Sequence, residues 1–186
     1  MKNNMIGIKL TKEEMIGRIH KCVENEKKIM RSDLVNKYED IVGEKIANLA
    51  VEASCECIDA VGMQLVEHIN MLSNSKFVTL NADGKIRLVT FIITECDYFN
   101  NIIKEETDNE DRKIEELLEL FAFVSASYKI LQCLAETMLE ELTSKEERIM
   151  ADSLIEMLEH NAVALIKKAT EIRKKHLFAK IIKSLI

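Results

Sequence analysis

RKIEELLELFAFVSASYKILQCLAETMLEEL, residues 112–142, sets Ile114, Leu117, Leu118, Phe121, Val124, Tyr128, Leu131, Ala135, Met138 and Leu142 in one helical register. Apolar positions that recur every three to four residues mark an α-helix with a buried side. Leu120, Phe123, Ile130 and Leu134 widen the apolar arc to roughly two-thirds of the circumference. A helix that apolar belongs at the centre of a bundle. The chain therefore reads as all-α.

Composition points the same way. The 186 residues include no proline, no tryptophan and only 5 glycines. Proline breaks helix interiors and punctuates loops, so its absence favours long helices joined by short turns. Aromatic residues make up 5 % of the chain, so Leu, Ile, Val, Ala and the 9 methionines must fill the core. The expected fold is an antiparallel helical bundle of about five helices, three or four of them long. The length suits one domain over residues 1–186, in which 173–186 forms a basic amphipathic C-terminal segment, docked or projecting.

On the N-terminal side of the central helix, residues 1–10 read as a loosely held lead-in. Thr11 and Glu14 form a capping box that starts a helix near Lys12. Met15, Ile16, Ile19, Cys22 and Val23 share its apolar face, and its end is expected near Met30. Ser32-Asp33 then offers an N-cap for a second helix reaching Leu72, interrupted only by Gly43 and Gly62. Its apolar residues, Tyr38, Val42, Ile46, Leu49, Ala53, Cys57, Val61, Leu65 and Ile69, recur mostly in fours. Steps of four drift by about 40° on a straight helix. This helix is therefore either buried on several sides or bent, Gly62 being one place for a bend. Gly43, Ala47, Ala50 and Ser54 form a second row, small enough for another helix to approach closely.

Residues 77–90 support two readings. One is a small β-hairpin around Asn81-Ala82-Asp83-Gly84; the other is a loop leading into a helix. From Leu88 the helical stripe is clear: Leu88, Phe91, Ile92, Phe99, Ile102 and Ile103. On the C-terminal side, Ser144 and Glu147 form a second capping box. The last helix carries Met150, Leu154, Leu158, Leu165, Ala169 and Ile172 on one face. After Arg173 the phase changes: Phe178, Ile181, Ile182 and Leu185 lie roughly opposite. Either the helix breaks near Lys174 or its end meets something other than the bundle.

Charge is uneven. The net charge is −6, yet residues 167–186 carry +6, which leaves −12 for residues 1–166. The body should repel nucleic acid and the C-terminal segment should not. No run of apolar residues reaches membrane-spanning length, and the start lacks the apolar block of a signal peptide. A cytoplasmic protein is expected, with its 5 cysteines as free thiols.

Signatures of catalysis are missing. The sequence contains no HExxH, ExxH, GxxxxGK[ST], GxGxxG or GxSxG. Glu13-Glu14, Glu105-Glu106, Glu115-Glu116 and Glu140-Glu141 invite a carboxylate–magnesium site, but most fall near helix ends or on polar faces. Glu95 and Asp97, beside the stripe of their helix, are the acids to inspect for burial. Cys22, Cys57, Cys96 and Cys133 fall one to a helix, and meeting at one level they would suit a soft metal. The plain reading is small buried hydrophobes. Glu156 and His160 stand four apart and can share a contact. A winged-helix reading of 77–90 conflicts with the acidic helix before it, which carries Glu44, Glu52, Glu56, Asp59 and Glu67 against Lys45.

No catalytic residue, cofactor site or metal site is assigned. The expected function is non-catalytic: an interaction, adaptor or regulatory protein acting by helix-face docking, as a homo-oligomer or complex subunit. The expected contact residues are Arg173, Lys174, Lys175, Phe178, Ile181, Ile182 and Leu185. One alternative is an all-α metal-dependent enzyme or metal-binding protein using buried carboxylates or cysteines. The other is a binder of nucleic acid or an anionic membrane surface through the basic C-terminus.

Overall fold

A computed structural model of the chain describes residues 8–72, 85–109 and 112–185; side chains are described within these ranges except at 34–42 and 179–185. The order of elements is β1 (Lys9–Leu10), α1 (Lys12–Val42), α2 (Glu44–Met71), β2 (Ile86–Arg87), α3 (Leu88–Thr107), α4 (Ile114–Leu139) and α5 (Lys145–Leu185). Among the described residues the fold is an all-α bundle of five helices with one small antiparallel β pair. The two strands pair Lys9 with Arg87 and Leu10 with Ile86. Part of the 77–90 stretch is therefore β, with its partner strand at Lys9–Leu10; residues 77–84 lie outside the described residues. The lead-in is tied down at this point. Leu10 and Ile86 are buried, and the Leu88 N–H donates to the Ile8 carbonyl at 3.1 Å.

The first capping box closes as its sequence requires. The Thr11 N–H donates to Glu14 Oε2 at 2.7 Å and the Glu14 N–H to Thr11 Oγ1 at 3.2 Å. These bonds hold the Glu14 carboxyl below its usual range. At the start of α5 the Glu147 N–H donates to Ser144 Oγ at 3.1 Å.

The expected boundary at Ser32-Asp33 is absent. α1 runs on to Val42, and the Ser32 hydroxyl bonds back to the Ile29 carbonyl at 3.0 Å. The chain turns at Gly43, whose φ of +82° is a conformation side chains rarely adopt. Serine and aspartate tolerate a helix interior; the turn needs glycine. The long stripe of fours is thus divided between two helices. In α2 the buried series is Ala47, Val51, Cys55, Ile58, Val61, Leu65 and Ile69. Steps of three correct the drift, so Ile46 and Leu49 point outward, 58 % and 63 % exposed. In the row of small residues, Ala47 is buried and Ala50 exposed. Gly62 lies inside α2 without ending it. An added Cβ there would stand 2.6 Å from Val23 Cγ2 of α1, so this glycine lets the two helices pack closely.

α4 is central: α1, α2, α3 and α5 all pack on it. Its buried residues include Phe121, Val124, Tyr128, Leu131, Leu134 and Met138. Contrary to the reading of apolar runs, α4 has the length and composition to cross a membrane; here its most apolar window is 44 % buried inside the bundle. Phe99 of α3 meets Tyr128 and Phe123 edge-on, and the Tyr128 hydroxyl donates to Asn100 Oδ1 at 2.6 Å. Arg18 joins α1 to the end of α4 through Thr137 Oγ1 at 2.9 Å and through Glu141. Lys27 joins α1 to α2 through Asp59 at 2.9 Å.

Candidate functional site

α5 has 41 residues against 26 in α4. The two are joined by a short turn and run antiparallel. At ~1.5 Å per residue, α5 is about 60 Å long and outlasts its partner. Its inner face, Ala151, Leu158, Ala162 and Leu165, is buried, while Met150, expected on that face, is 48 % exposed. Lys168 sits over the Phe121 ring, 5.4 Å from its centroid, and its ammonium donates to Thr107 Oγ1 at 3.3 Å. One cation of the basic segment therefore belongs to the bundle. His176 Nε2 stands 3.7 Å from Glu115 in the first turn of α4, so the residues that follow run past the start of that helix.

The helix does not break at Lys174; it continues to Leu185. Arg173, Lys174 and Lys175 are exposed. Leu177 and Phe178 are 60 % and 66 % exposed. Two large apolar side chains open to water beside three cations make an amphipathic surface with its apolar part uncovered. Leu177 was not among the expected contacts. Ile181, Ile182 and Leu185 follow within α5, and their side chains lie outside the described residues.

A groove of about 580 Å³ leads to this segment, with Arg173 on its wall. It lies between α2 and α5, over the small residues Ala122, Ser125 and Ala126 of α4, with Ala53 and Ala169 on its sides. The small side chains on this part of α4 leave the groove unfilled.

Of the acids singled out from sequence, Glu95 is buried at 3 % exposure and Asp97 is exposed. Glu95 Oε2 accepts a hydrogen bond from His68 Nδ1 of α2 at 2.7 Å. The bond to Glu95 holds the His68 pKa above its usual value, against the opposing effect of burial. Tyr98 packs edge-on to the His68 ring at 4.9 Å and its hydroxyl accepts from Gln64 Nε2 at 3.4 Å. This arrangement gives one buried carboxyl a hydrogen-bonding partner and joins α2 to α3. His68 was missed from sequence because nothing in its neighbourhood distinguishes it; the apolar surroundings of Glu95 were the signal that a partner was needed.

The other acidic clusters are dispersed. Glu14 caps α1, Glu141 meets Arg18, and Glu106 and Glu116 lie near Arg112 at 3.2 and 3.5 Å. Glu156 and His160 are both exposed. Among the cysteines, Cys22 lies on α1, Cys55 and Cys57 on α2, Cys96 on α3 and Cys133 on α4, all as free thiols. Among the described residues no three His, Cys, Asp or Glu side chains are placed to hold a metal ion. Comparison with protein-family models, with curated proteins and with solved structures finds no match for the chain.

Proposed function

We propose that this chain is a non-catalytic interaction module, acting in a regulatory or adaptor role by docking of the basic amphipathic end of α5 on a protein surface. The observation that carries the reading is the exposure of Leu177 and Phe178 beside Arg173, Lys174 and Lys175, on a helix that outruns its neighbour. Burying two such side chains stabilises a contact by roughly 3–6 kcal/mol before ordering costs. Lysines and arginines around an apolar stripe favour a partner with an acidic rim. The acidic body of a second copy, at −12 over residues 1–166, has that sign of charge. Self-association is therefore the first form of the proposal, in the cytoplasm.

The test is light scattering of the intact chain and of a Leu177→Glu/Phe178→Glu variant, with circular dichroism to confirm folding. The expected result is an oligomeric mass for the intact chain and a monomeric mass for the variant, both fully helical. A monomeric intact chain overturns self-association. An oligomer unaffected by the variant moves the interface elsewhere on the bundle.

A further inference from the structure

We infer that the basic end of α5 seats in a groove between α1 and α2 of a second copy of this chain. The inference rests on the self-association proposed above and names the surface that receives the end. The groove has a volume of about 610 Å³, in the size range of clefts that hold ligands. Val23 of α1 and Met63 and Val66 of α2 give it an apolar lining, and Met63 is 68 % exposed. Gly62 contributes no side chain to fill it.

Charge selects the occupant. Glu24, Asp59 and Glu67 stand around the apolar lining, with His20 beside them. Lys27 donates to Glu24 at 3.2 Å and to Asp59 at 2.9 Å, so among the described residues three carboxylates stand against one bonded lysine. An apolar lining under an excess of negative charge is the complement of the α5 end. There Leu177 and Phe178, 60 % and 66 % exposed, stand beside Arg173, Lys174 and Lys175. The groove between α2 and α5 has the wrong sign for this occupant, because Lys129 and Arg173 line it.

The end cannot seat in the groove of its own chain. His176 stands 3.7 Å from Glu115 at the start of α4, and the rest of α5 runs past that start. Arg18 of α1 bonds Thr137 near the end of α4, and Glu24 follows Arg18 by less than two turns. The groove therefore lies toward the end of α4, and the tip of α5 beyond its start. At ~1.5 Å per residue the two ends of α4 are about 39 Å apart. An unbroken α5 reaches this groove only on another molecule.

The experiment is light scattering of full-length variants, with circular dichroism to confirm folding. The end variant is Leu177→Glu/Phe178→Glu. The groove variant is Glu24→Lys/Glu67→Lys; Asp59 is kept because its bond to Lys27 joins α1 to α2. A control, Glu156→Lys/Glu159→Lys, makes the same change of net charge at exposed positions of α5. Reversal at the groove should weaken self-association by roughly a hundredfold, leaving monomers where the intact chain is associated. The end variant alone should also be monomeric. Mixed one to one, the two variants should give a mass of two chains, since each supplies the surface that the other lacks. The control should associate like the intact chain. Should the groove variant lose helix, Met63→Lys, at an exposed position, takes its place with the same expected masses. A groove variant that keeps the intact mass while the end variant is monomeric overturns this seat and leaves self-association through the α5 end standing. A monomeric intact chain overturns both. A mixture that stays monomeric, or a control that dissociates as the groove variant does, overturns the seat.

Discussion

Replacing Gly62 with alanine is expected to weaken the fold, while the same replacement at Gly17 strengthens it. Both glycines lie inside helices, Gly17 in α1 and Gly62 in α2. Alanine in place of a helical glycine stabilises by about 1 kcal/mol when nothing obstructs it. At Gly17 nothing stands within 4 Å of the added Cβ. At Gly62 the Cβ would stand 2.6 Å from Val23 Cγ2, closer than two carbons can approach. Valine has one strongly preferred rotamer in a helix, so the methyl cannot swing away freely. The helices must part, at about 1–3 kcal/mol for overpacking. The net effect at Gly62 lies between neutrality and about 2 kcal/mol of destabilisation, so the two variants should differ by about 1–3 kcal/mol. Urea unfolding followed by circular dichroism measures this as opposite shifts of the midpoint at unchanged slope. Combining Gly62→Ala with Val23→Ala should recover part of the loss, a coupling of about 1 kcal/mol in a double-mutant cycle. Equal, same-direction shifts for Gly17→Ala and Gly62→Ala would refute the close approach of α1 and α2.

The His68–Glu95 pair gives a pH signature. Its histidine has a folded pKa above the unfolded value of 6.5, so its stabilisation is complete below that pH and fades as pH rises through the folded value. The charged groups facing the ring are Glu95 and Glu67. The stability gap between the natural protein and His68→Gln should therefore be widest on the acid side of neutrality and narrow in alkaline buffer; a gap that widens with pH contradicts the pairing. Thr11→Ala removes the hydroxyl that caps Glu14, and should lower stability by about 1 kcal/mol in urea titration. No loss would mean that the box is not closed in solution.

How far the sequence could be read depended on whether the signal was local. α3, α4 and both caps were legible because periodicity and capping act within a few turns of chain. The end of α1 was not. Ser32-Asp33 carries cap chemistry, but a cap forms only where the backbone turns, and the turn needed the positive φ of Gly43. The strand at Lys9–Leu10 was read as a lead-in because its partner lies near residue 86, beyond any local pattern. The same holds for the polar contacts. The burial of Glu95 was visible in its neighbours, whereas its pairing with His68 depends on how α2 crosses α3. The change of phase after Arg173 was legible, and it located the exposed Phe178. The unbroken course of α5 was not, since a phase change fits a break equally well.

The most direct measurement compares the intact chain with one ending at Ile172, by light scattering and by urea unfolding of each. If the C-terminal end of α5 is a contact surface, the shortened chain loses mass to the monomer and keeps its unfolding midpoint. Unchanged mass together with lost stability would make that end part of the core, and the account would be wrong.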